Sequence, residues 1–120
     1  MSRITVVRLD RDALDLPLAA AGGRVRALLW PGMGARERSL CHFDLPQGFA
    51  SAEFRHPYEA VYYVVRGEGQ VVDVDSGTAH QVRAGQMIYL TPNQGYRLGG
   101  PAVFVGGPCP PDPALFSEVP

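Results

Sequence analysis

Most side chains that could carry acid–base chemistry lie in two short stretches of the sequence, at residues 53–62 and 96–97. They are Glu53, His56, Tyr58, Glu59, Tyr62, Tyr96 and Arg97. A histidine titrates near neutral pH, and a tyrosine that faces it can serve as the matching acid. Such a pair can move a proton at a carbon next to a carbonyl, while an arginine stabilises an enolate or a carboxylate.

The elements that must position these side chains are short strands. The sequence has 14 glycines and 11 prolines, and the segments between them are rich in β-branched and aromatic residues, which is typical of an all-β sandwich or barrel. Only Asp10–Leu18 could hold a helical turn, capped by Asp10 or Asp12. The predicted strands are Ile4–Leu9, Val25–Trp30, Arg38–Leu45, Ser51–Arg55, Ala60–Val65, Gln70–Val74, His80–Arg83, Met87–Leu90, Tyr96–Leu98 and Ala102–Val105.

The clearest local pattern runs from Glu59 to Val74. Here AVYYVV and QVVDV flank RGEG, which predicts a tight hairpin containing glycine. Alternation in Ala60–Val65 makes both faces of the strand apolar, so we expect one face inside a barrel and the other against a second sheet or subunit. A second hairpin is predicted at Asp75–Thr78.

Length and composition narrow the class of protein. The 120 residues fit one domain, 1–120, and 46% are hydrophobic, enough for a core. The net charge is -1, and the 11 basic residues are all arginines scattered along the sequence, which argues against nucleic-acid binding. No apolar run could span a membrane and no signal-peptide core is visible, so we expect a cytoplasmic protein. Cys41 and Cys109 are too few for a disulfide scaffold.

The last residues, 106–120, are rich in proline. Because proline lacks a backbone N–H, we expect this tail to leave the sheet and to lie extended on the barrel. Leu115 and Phe116 are the side chains that would hold it there.

Two stretches resemble the conserved motifs of the cupin family. Residues 48–69, GFASAEFRHPYEAVYYVVRGEG, are similar to the first motif, and residues 85–100, GQMIYLTPNQGYRLGG, are similar to the second. The resemblance implies an all-β fold, a cupin-type barrel also called a double-stranded β-helix or jelly roll. It leaves the chemistry open, because one fold serves many functions.

The resemblance also shows which metal-binding positions of the family have changed. His56 keeps the second histidine of the first motif, whereas Phe54 replaces the first and Ala60 stands at the glutamate position, beside Glu59. Tyr96 falls at the histidine of the second motif. Since catalytic zinc or iron sites take about three protein ligands, we expect no metal cofactor.

A rearranged metal site is the alternative. It would combine His56 with Glu59, His42 or Glu53, provided that Arg38–Leu45 lies beside Ser51–Arg55, and would hold iron, zinc or manganese. Residues 53 and 56 lie on opposite faces of an ideal strand, however, and Glu59 points away from Ala60 unless a bulge turns it.

Some cupin epimerases and ketoisomerases work without a metal, with a histidine base and a tyrosine acid, and the resemblance implies the same roles here. His56 would be the base, Tyr96 or Tyr62 the acid, and Glu59 would orient His56. The expected substrate-binding residues are Phe54, Tyr58, Tyr62, Arg97 and Trp30.

Three functions therefore stay open. The first is a metal-independent isomerase, epimerase, lyase or cyclase acting on a small carbonyl compound. The second is a barrel that binds a small apolar or aromatic ligand without catalysis, and the third is a metalloenzyme such as a dioxygenase. As a partner we expect a second copy in a two-fold homodimer, formed by sheet packing or by exchange of the Ile4–Leu9 strand.

Overall fold

The computed structural model describes residues 3–19 and 22–117, which form an antiparallel β structure with two short 3-10 helices. This confirms the all-β prediction. The 3-10 helices are Pro31–Met33 and Pro113–Phe116. The strands are β1 Leu14–Leu16, β2 Arg24–Leu29, β3 Leu40–Leu45, β4 Glu59–Asp73, β5 Ala79–Arg83, β6 Met87–Leu90, β7 Tyr96–Gly99 and β8 Ala102–Cys109.

The long strand β4 belongs to two sheets. Its first half pairs with β6 and β8 in a sheet of order β1-β2-β3-β8-β4-β6, here called the first sheet. Its second half pairs with β5 and β7 in the second sheet. Because one strand passes from one sheet into the other, the inner faces of both sheets enclose a common core.

The predicted hairpin at RGEG is wrong, because the chain continues straight through it as part of β4. The register with β8 shifts between Val64 and Arg66, and Gly67 has a φ of +86°. A Cβ on Gly67 would lie 2.4 Å from the Pro101 carbonyl oxygen. The glycine therefore allows a bulge and a close backbone contact with the neighbouring connection.

The hairpin predicted at Asp75–Thr78 is confirmed. It joins β4 to β5, and the backbone N–H of Asp73 donates to the Thr78 carbonyl at 2.8 Å. The Asp73 carboxylate accepts hydrogen bonds from the N–H groups of Asp75 and Ser76. This local side-chain capping explains why the turn could be read from the sequence.

Three other predicted elements differ. Residues 3–8 form no strand, and the side chains of Ile4 and Val6 are largely exposed. The helical turn predicted within residues 10–18 lies earlier: the Asp12 N–H donates to the Arg8 carbonyl at 2.8 Å, the Asp12 carboxylate accepts the Arg8 N–H, and β1 begins at Leu14. The predicted strand at 51–55 is reduced to isolated bridges, including Phe54 with Tyr96.

Alternation in β4 separates the core from the outer surface. Ala60, Tyr62 and Val64 are buried, whereas Val61 and Tyr63 between them are exposed. The largest buried side chains around Tyr62 come from β3, β7 and β8; they are Phe43, Leu45, Tyr96, Leu98 and Phe104. The inner face is therefore filled with aromatic and aliphatic side chains.

The C-terminal segment stays in the sheet longer than the sequence predicts. β8 extends to Cys109, and Pro108 lies opposite Ala60. Asp112 then caps the second 3-10 helix, accepting the Ala114 N–H at 3.0 Å. Leu115 and Phe116 are buried, and the Phe116 ring lies 5.9 Å from that of Trp30. None of the described residues forms a helix long and apolar enough to cross a membrane.

Candidate functional site

Four polar side chains form a continuous hydrogen-bonded network inside the barrel, here called the polar network: Asp112, His56, Tyr96 and Tyr62. His56 Nδ1 lies 2.7 Å from Asp112 Oδ2, and His56 Nε2 lies 2.7 Å from the Tyr96 hydroxyl. The Tyr96 and Tyr62 hydroxyls are 2.5 Å apart. His56 is only 3% exposed and Tyr96 only 1%, so the network is shielded from bulk water.

Each member is placed by a different part of the fold. Tyr62 points inward from the middle of β4, and Tyr96 begins β7. Tyr96 and Phe54 exchange two backbone hydrogen bonds, while the His56 carbonyl accepts the Asn93 N–H at 2.7 Å. These bonds hold the segment before Pro57 against β7, and that brings the imidazole to the Tyr96 hydroxyl.

For an ionised Asp112 and a neutral His56, the hydrogen bonds of the network run in one direction. The carboxylate can only accept, so Nδ1 of His56 donates its hydrogen to Asp112. The Nε2 atom of the neutral imidazole then accepts the hydrogen of the Tyr96 hydroxyl. The Tyr96 oxygen is left to accept the hydrogen of Tyr62, and every member has a partner.

Burial controls the protonation state of the two tyrosine hydroxyls. It raises the pKa of Tyr62 well above the ordinary value of about 10, and the nearby Tyr96 adds to the rise. Burial also raises the pKa of Tyr96, although its hydrogen bond with Tyr62 opposes the shift. Both phenols therefore stay protonated at neutral pH and act as hydrogen-bond donors.

Aromatic rings surround the network. The Phe54 ring stacks on the His56 imidazole, with centroids 5.9 Å apart and planes at 21°. Phe43 packs edge-on against both Tyr62 and Phe54. Such an apolar surrounding strengthens the hydrogen bonds inside it, because the local dielectric constant is low.

Two cavities reach different ends of the network. The larger, about 300 Å³, is lined by Tyr96 together with Val71, Val82, Ile88 and Leu90, and has His80, Asp73 and Gln94 among its polar groups. The smaller, about 200 Å³, is lined by His56 and Asp112 with Phe54, Leu18 and Leu115. One cavity thus touches the tyrosine end and the other the imidazole–carboxylate end.

The residues singled out in the sequence are only partly brought together. The structure joins His56, Tyr96 and Tyr62, with Phe54 against them, but Glu59 points outward and accepts a hydrogen bond from the Tyr89 hydroxyl. The expectation that Glu59 orients His56 is therefore corrected, because Asp112 occupies that place.

The other expected binding residues lie apart from the network. Arg97 pairs with Glu53 at 3.2 Å near the surface, and Trp30 packs on Phe116. Tyr58 is partly buried and lines neither of the two cavities. Arg55, the second arginine near the motif, pairs with Asp75.

Sequence reasoning missed Asp112. A local signal existed, since an aspartate before Pro113 and an Ala-Leu-Phe run is typical of a helix N-cap. That signal predicts only the cap. The bond to His56 joins residues that lie 56 positions apart, and no local pattern reports such a contact.

The side chains at the metal-binding positions of the cupin motifs do not form a suitable set of metal ligands. Phe54 and Ala60 offer no donor atoms, both His56 nitrogens are already engaged, and the raised pKa of Tyr96 disfavours a phenolate ligand. His42 lies between two inward residues of β3, so its side chain is on the outer face of the sheet, away from His56. Within residues 3–19 and 22–117, no three histidine, cysteine, aspartate or glutamate side chains are grouped to hold a metal ion.

Comparison with solved structures shows the same fold in distant proteins. The polyketide cyclase RemF from Streptomyces resistomycificus is 24% identical with a TM-score of 0.66, over 92% of this chain and 82% of that one. A Cupin 2 conserved barrel domain protein from Salinispora arenicola is 20% identical with a TM-score of 0.67, over 95% and 93% of the two chains. A predicted oxalate decarboxylase from Thermotoga maritima is 21% identical with a TM-score of 0.66, over 86% and 96%.

Sequence comparison identifies the family. None of the curated protein sequences matches this chain. The family model of the cupin domain, however, matches residues 41–104, more than half of the sequence and the part that contains both motifs, His56, Tyr62 and Tyr96. The chain is therefore a member of the cupin family, and its β-barrel buries the polar network.

Proposed function

We propose that this cupin is a metal-independent enzyme that shifts a proton next to a carbonyl in a small organic substrate. Isomerisation, epimerisation, elimination and ring closure all begin with that step. The observation that carries the proposal is the unbroken set of hydrogen bonds from Asp112 through His56 to Tyr96. A carboxylate, an imidazole and a hydroxyl in that order form an arrangement suited to moving protons.

In the proposed reaction Tyr96 is the catalytic residue that touches the substrate, and His56 acts through it. The substrate C–H bond breaks and its proton passes to the Tyr96 oxygen, while the hydroxyl proton moves to His56 Nε2. The electron pair left behind forms an enolate, and Asp112 stabilises the imidazolium. The reverse transfer to another carbon completes an isomerisation. In a ring closure the enolate carbon attacks a second carbonyl, and the alkoxide that forms takes the proton from Tyr96, which regains its own from His56.

The raised pKa of Tyr96 supports a coupled transfer. A free tyrosinate in this buried position is unfavourable, so the hydroxyl must receive one proton as it gives up another. The second hydrogen-bond partner, Tyr62, keeps the Tyr96 oxygen in place during that exchange.

The larger cavity is the proposed substrate site, because Tyr96 lines it. Its aliphatic walls suit an apolar or aromatic ring system, and the polar groups of His80, Asp73 and Gln94 suit one or two polar substituents. Its volume of about 300 Å³ limits the substrate to a small molecule. The cyclase name of the RemF neighbour is in keeping with such a substrate.

The test uses exchange of carbon-bound hydrogen for deuterium. Protein treated with EDTA is incubated in D₂O with a panel of aromatic and aliphatic β-dicarbonyl compounds, and exchange is followed by proton NMR. We expect a protein-dependent exchange that Tyr96→Phe lowers by about 10²–10⁴-fold. The matched control is Tyr63→Phe, the neighbouring tyrosine that points outward from β4.

Three results would overturn the proposal. If exchange persists in both the Tyr96→Phe and the His56→Asn variants, the network takes no part in the reaction. Exchange that requires added zinc, iron or manganese would assign the protein to the metal-dependent cupins. Binding of panel compounds with no exchange at all would support a role without catalysis.

Binding without catalysis is the second candidate, and one observation favours it. His56 and Tyr96 are almost completely buried, and Phe43 and Phe54 pack against the network. A closed aromatic interior of this kind can hold the fold together while the larger cavity binds an apolar ligand. We also propose that the protein works in the cytoplasm as a homodimer, as expected from the sequence.

A further inference from the structure

The second 3-10 helix, Pro113–Phe116, is fixed by apolar contacts as well as by its cap. Its last two side chains, Leu115 and Phe116, are both buried. Leu115 lines the smaller cavity together with His56, whereas the Phe116 ring lies 5.9 Å from the indole ring of Trp30. Two neighbouring side chains thus connect the helix to the surroundings of His56 and to Trp30.

The position of Trp30 is set by the turn that follows β2. Trp30 lies between β2 and the first 3-10 helix, Pro31–Met33, and its carbonyl accepts the Met33 N–H at 3.2 Å. The indole ring folds back over Gly32, since a Cβ on that residue would lie 2.3 Å from the ring. The missing side chain at position 32 therefore leaves the indole the space in which it meets Phe116.

The same helix carries the carboxylate that is bonded to His56. Asp112 directly precedes the helix, accepts the Ala114 N–H on Oδ1 at 3.0 Å and accepts the Leu115 N–H on its carbonyl at 3.1 Å. These two bonds tie Asp112 to the first turn, while its Oδ2 lies 2.7 Å from His56 Nδ1. Because hydrogen bonds are lost beyond about 3.5 Å, a shift of the helix by about 1 Å would break that contact.

We propose that Trp30 is a positioning residue, which acts through Phe116 and Asp112 to keep the His56 imidazole in the orientation that proton transfer requires. Trp30 lines neither of the two cavities that touch the polar network, so its effect is indirect. With Asp112 in place, Nδ1 keeps its hydrogen and Nε2 stays free to accept from Tyr96. The effect on catalysis rests on the proposed function, whereas the effect on the imidazole does not.

The first measurement follows the imidazole and needs no substrate. A histidine N–H in a strong hydrogen bond to a carboxylate gives a proton NMR signal far downfield of the backbone amides, and its loss in His56→Asn assigns it. We expect Trp30→Leu to move this signal upfield or to broaden it by exchange with water, because Asp112 is then no longer fixed. Trp30→Phe keeps an aromatic ring against Phe116 and should leave the signal in place.

The second measurement is the deuterium exchange of the proposed function, followed over a range of substrate concentrations. Trp30→Leu should lower kcat by about 10–100-fold, because a catalytic group displaced by about 1 Å loses its alignment. KM should be unchanged, since Trp30 does not line the larger cavity. Trp30→Phe should regain most of the lost kcat.

Leu45→Ala is the control for a general loss of stability. Leu45 is fully buried and lies opposite Ala102 at the start of β8, whereas Asp112 follows the end of that strand. The substitution should lower the free energy of unfolding and leave both the imidazole signal and kcat of the folded protein unchanged. Circular dichroism establishes that each variant is folded.

Gly32→Ala keeps the test decisive if Trp30→Leu does not fold. The nearest neighbours of the added Cβ are all atoms of the Trp30 indole ring, so the substitution displaces the ring and leaves the rest of the turn in place. We expect it to move the imidazole signal and to lower kcat in the same direction as Trp30→Leu.

Different results have different meanings. If the imidazole signal is unchanged in Trp30→Leu and Gly32→Ala, or is absent from the unchanged protein, the proposal is overturned. It is also overturned if Leu45→Ala moves the signal as much as Trp30→Leu does, because the effect is then one of stability alone. A moved signal with an unchanged kcat overturns the role in catalysis. If the signal moves and no panel compound exchanges hydrogen even with the unchanged protein, Trp30 still positions His56, and the proposed reaction fails.

Discussion

Asp112 and His56 are joined by a hydrogen bond of 2.7 Å although they lie 56 residues apart in the sequence. The same carboxylate caps the last 3-10 helix through its other oxygen. One side chain therefore fixes both the orientation of a buried imidazole and the position of the C-terminal segment. Loss of that carboxylate should affect the site and the stability of the fold together.

The first prediction concerns this double role. Asp112→Ala leaves the buried Nδ1–H of His56 without a partner and removes the helix cap, so we expect a loss of about 2–4 kcal/mol in the free energy of unfolding. Urea denaturation measures it. Asp10→Ala, at an exposed aspartate paired with Arg8, should change stability by less than about 0.5 kcal/mol. Equal effects of the two substitutions would contradict the role of Asp112.

The second prediction separates the two tyrosines. Tyr62→Phe removes one hydrogen bond and leaves the Tyr96–His56 bond intact, so it should cost about 1 kcal/mol. Tyr96→Phe leaves the buried His56 Nε2 without a donor and should cost more, about 1–3 kcal/mol. The same denaturation experiment measures both. A larger loss for Tyr62→Phe would reverse the order of the network derived from the geometry.

The third prediction tests the bulge in β4. Gly67→Ala introduces a Cβ at a positive φ and within 2.4 Å of the Pro101 carbonyl oxygen, and we expect a loss of about 2–4 kcal/mol. Gly77→Ala is the matched control, because Gly77 has a φ of +80° with nothing within 4 Å of the added Cβ. It should cost about 1 kcal/mol. Thermal unfolding of the two variants, compared side by side, gives the contribution of the close contact alone.

The fourth prediction concerns pH. Burial lowers the pKa of His42 below its ordinary value, and the charges of Arg26 and Arg66 lower it further, against an opposing effect of Asp44. Below about pH 6.5 the unfolded chain therefore binds a proton that the folded chain does not. The free energy of unfolding should fall as pH drops from neutral into this range.

The measurement is the pH dependence of urea unfolding for the unchanged protein and for His42→Gln. Part of the decrease below neutral pH should disappear in the variant, whereas His80→Gln, at an exposed histidine, should keep it. If His42→Gln and the unchanged protein have the same pH dependence, His42 does not contribute to it.

The all-β architecture and part of the site follow from the sequence itself. Short β-branched segments between glycines and prolines predict the strands, because side-chain alternation and turn residues act over a few positions. The same local information puts Ala60, Tyr62 and Val64 on one face of their strand, and the structure shows that this face is the inner one. The two motifs pointed to His56 and Tyr96 as residues of one barrel interior, and the structure brings them to hydrogen-bonding distance.

Only the tertiary structure decided the rest, because those features depend on contacts between distant parts of the chain. Gly67 is compatible with a turn or a bulge, and its contact with the Pro101 connection selects the bulge. Glu59 and Asp112 are both acids that could serve His56, and the path of the C-terminal segment selects Asp112. The strand register likewise determines that the exposed side chains Val61 and Tyr63 lie beside Tyr89 and Met87 of β6.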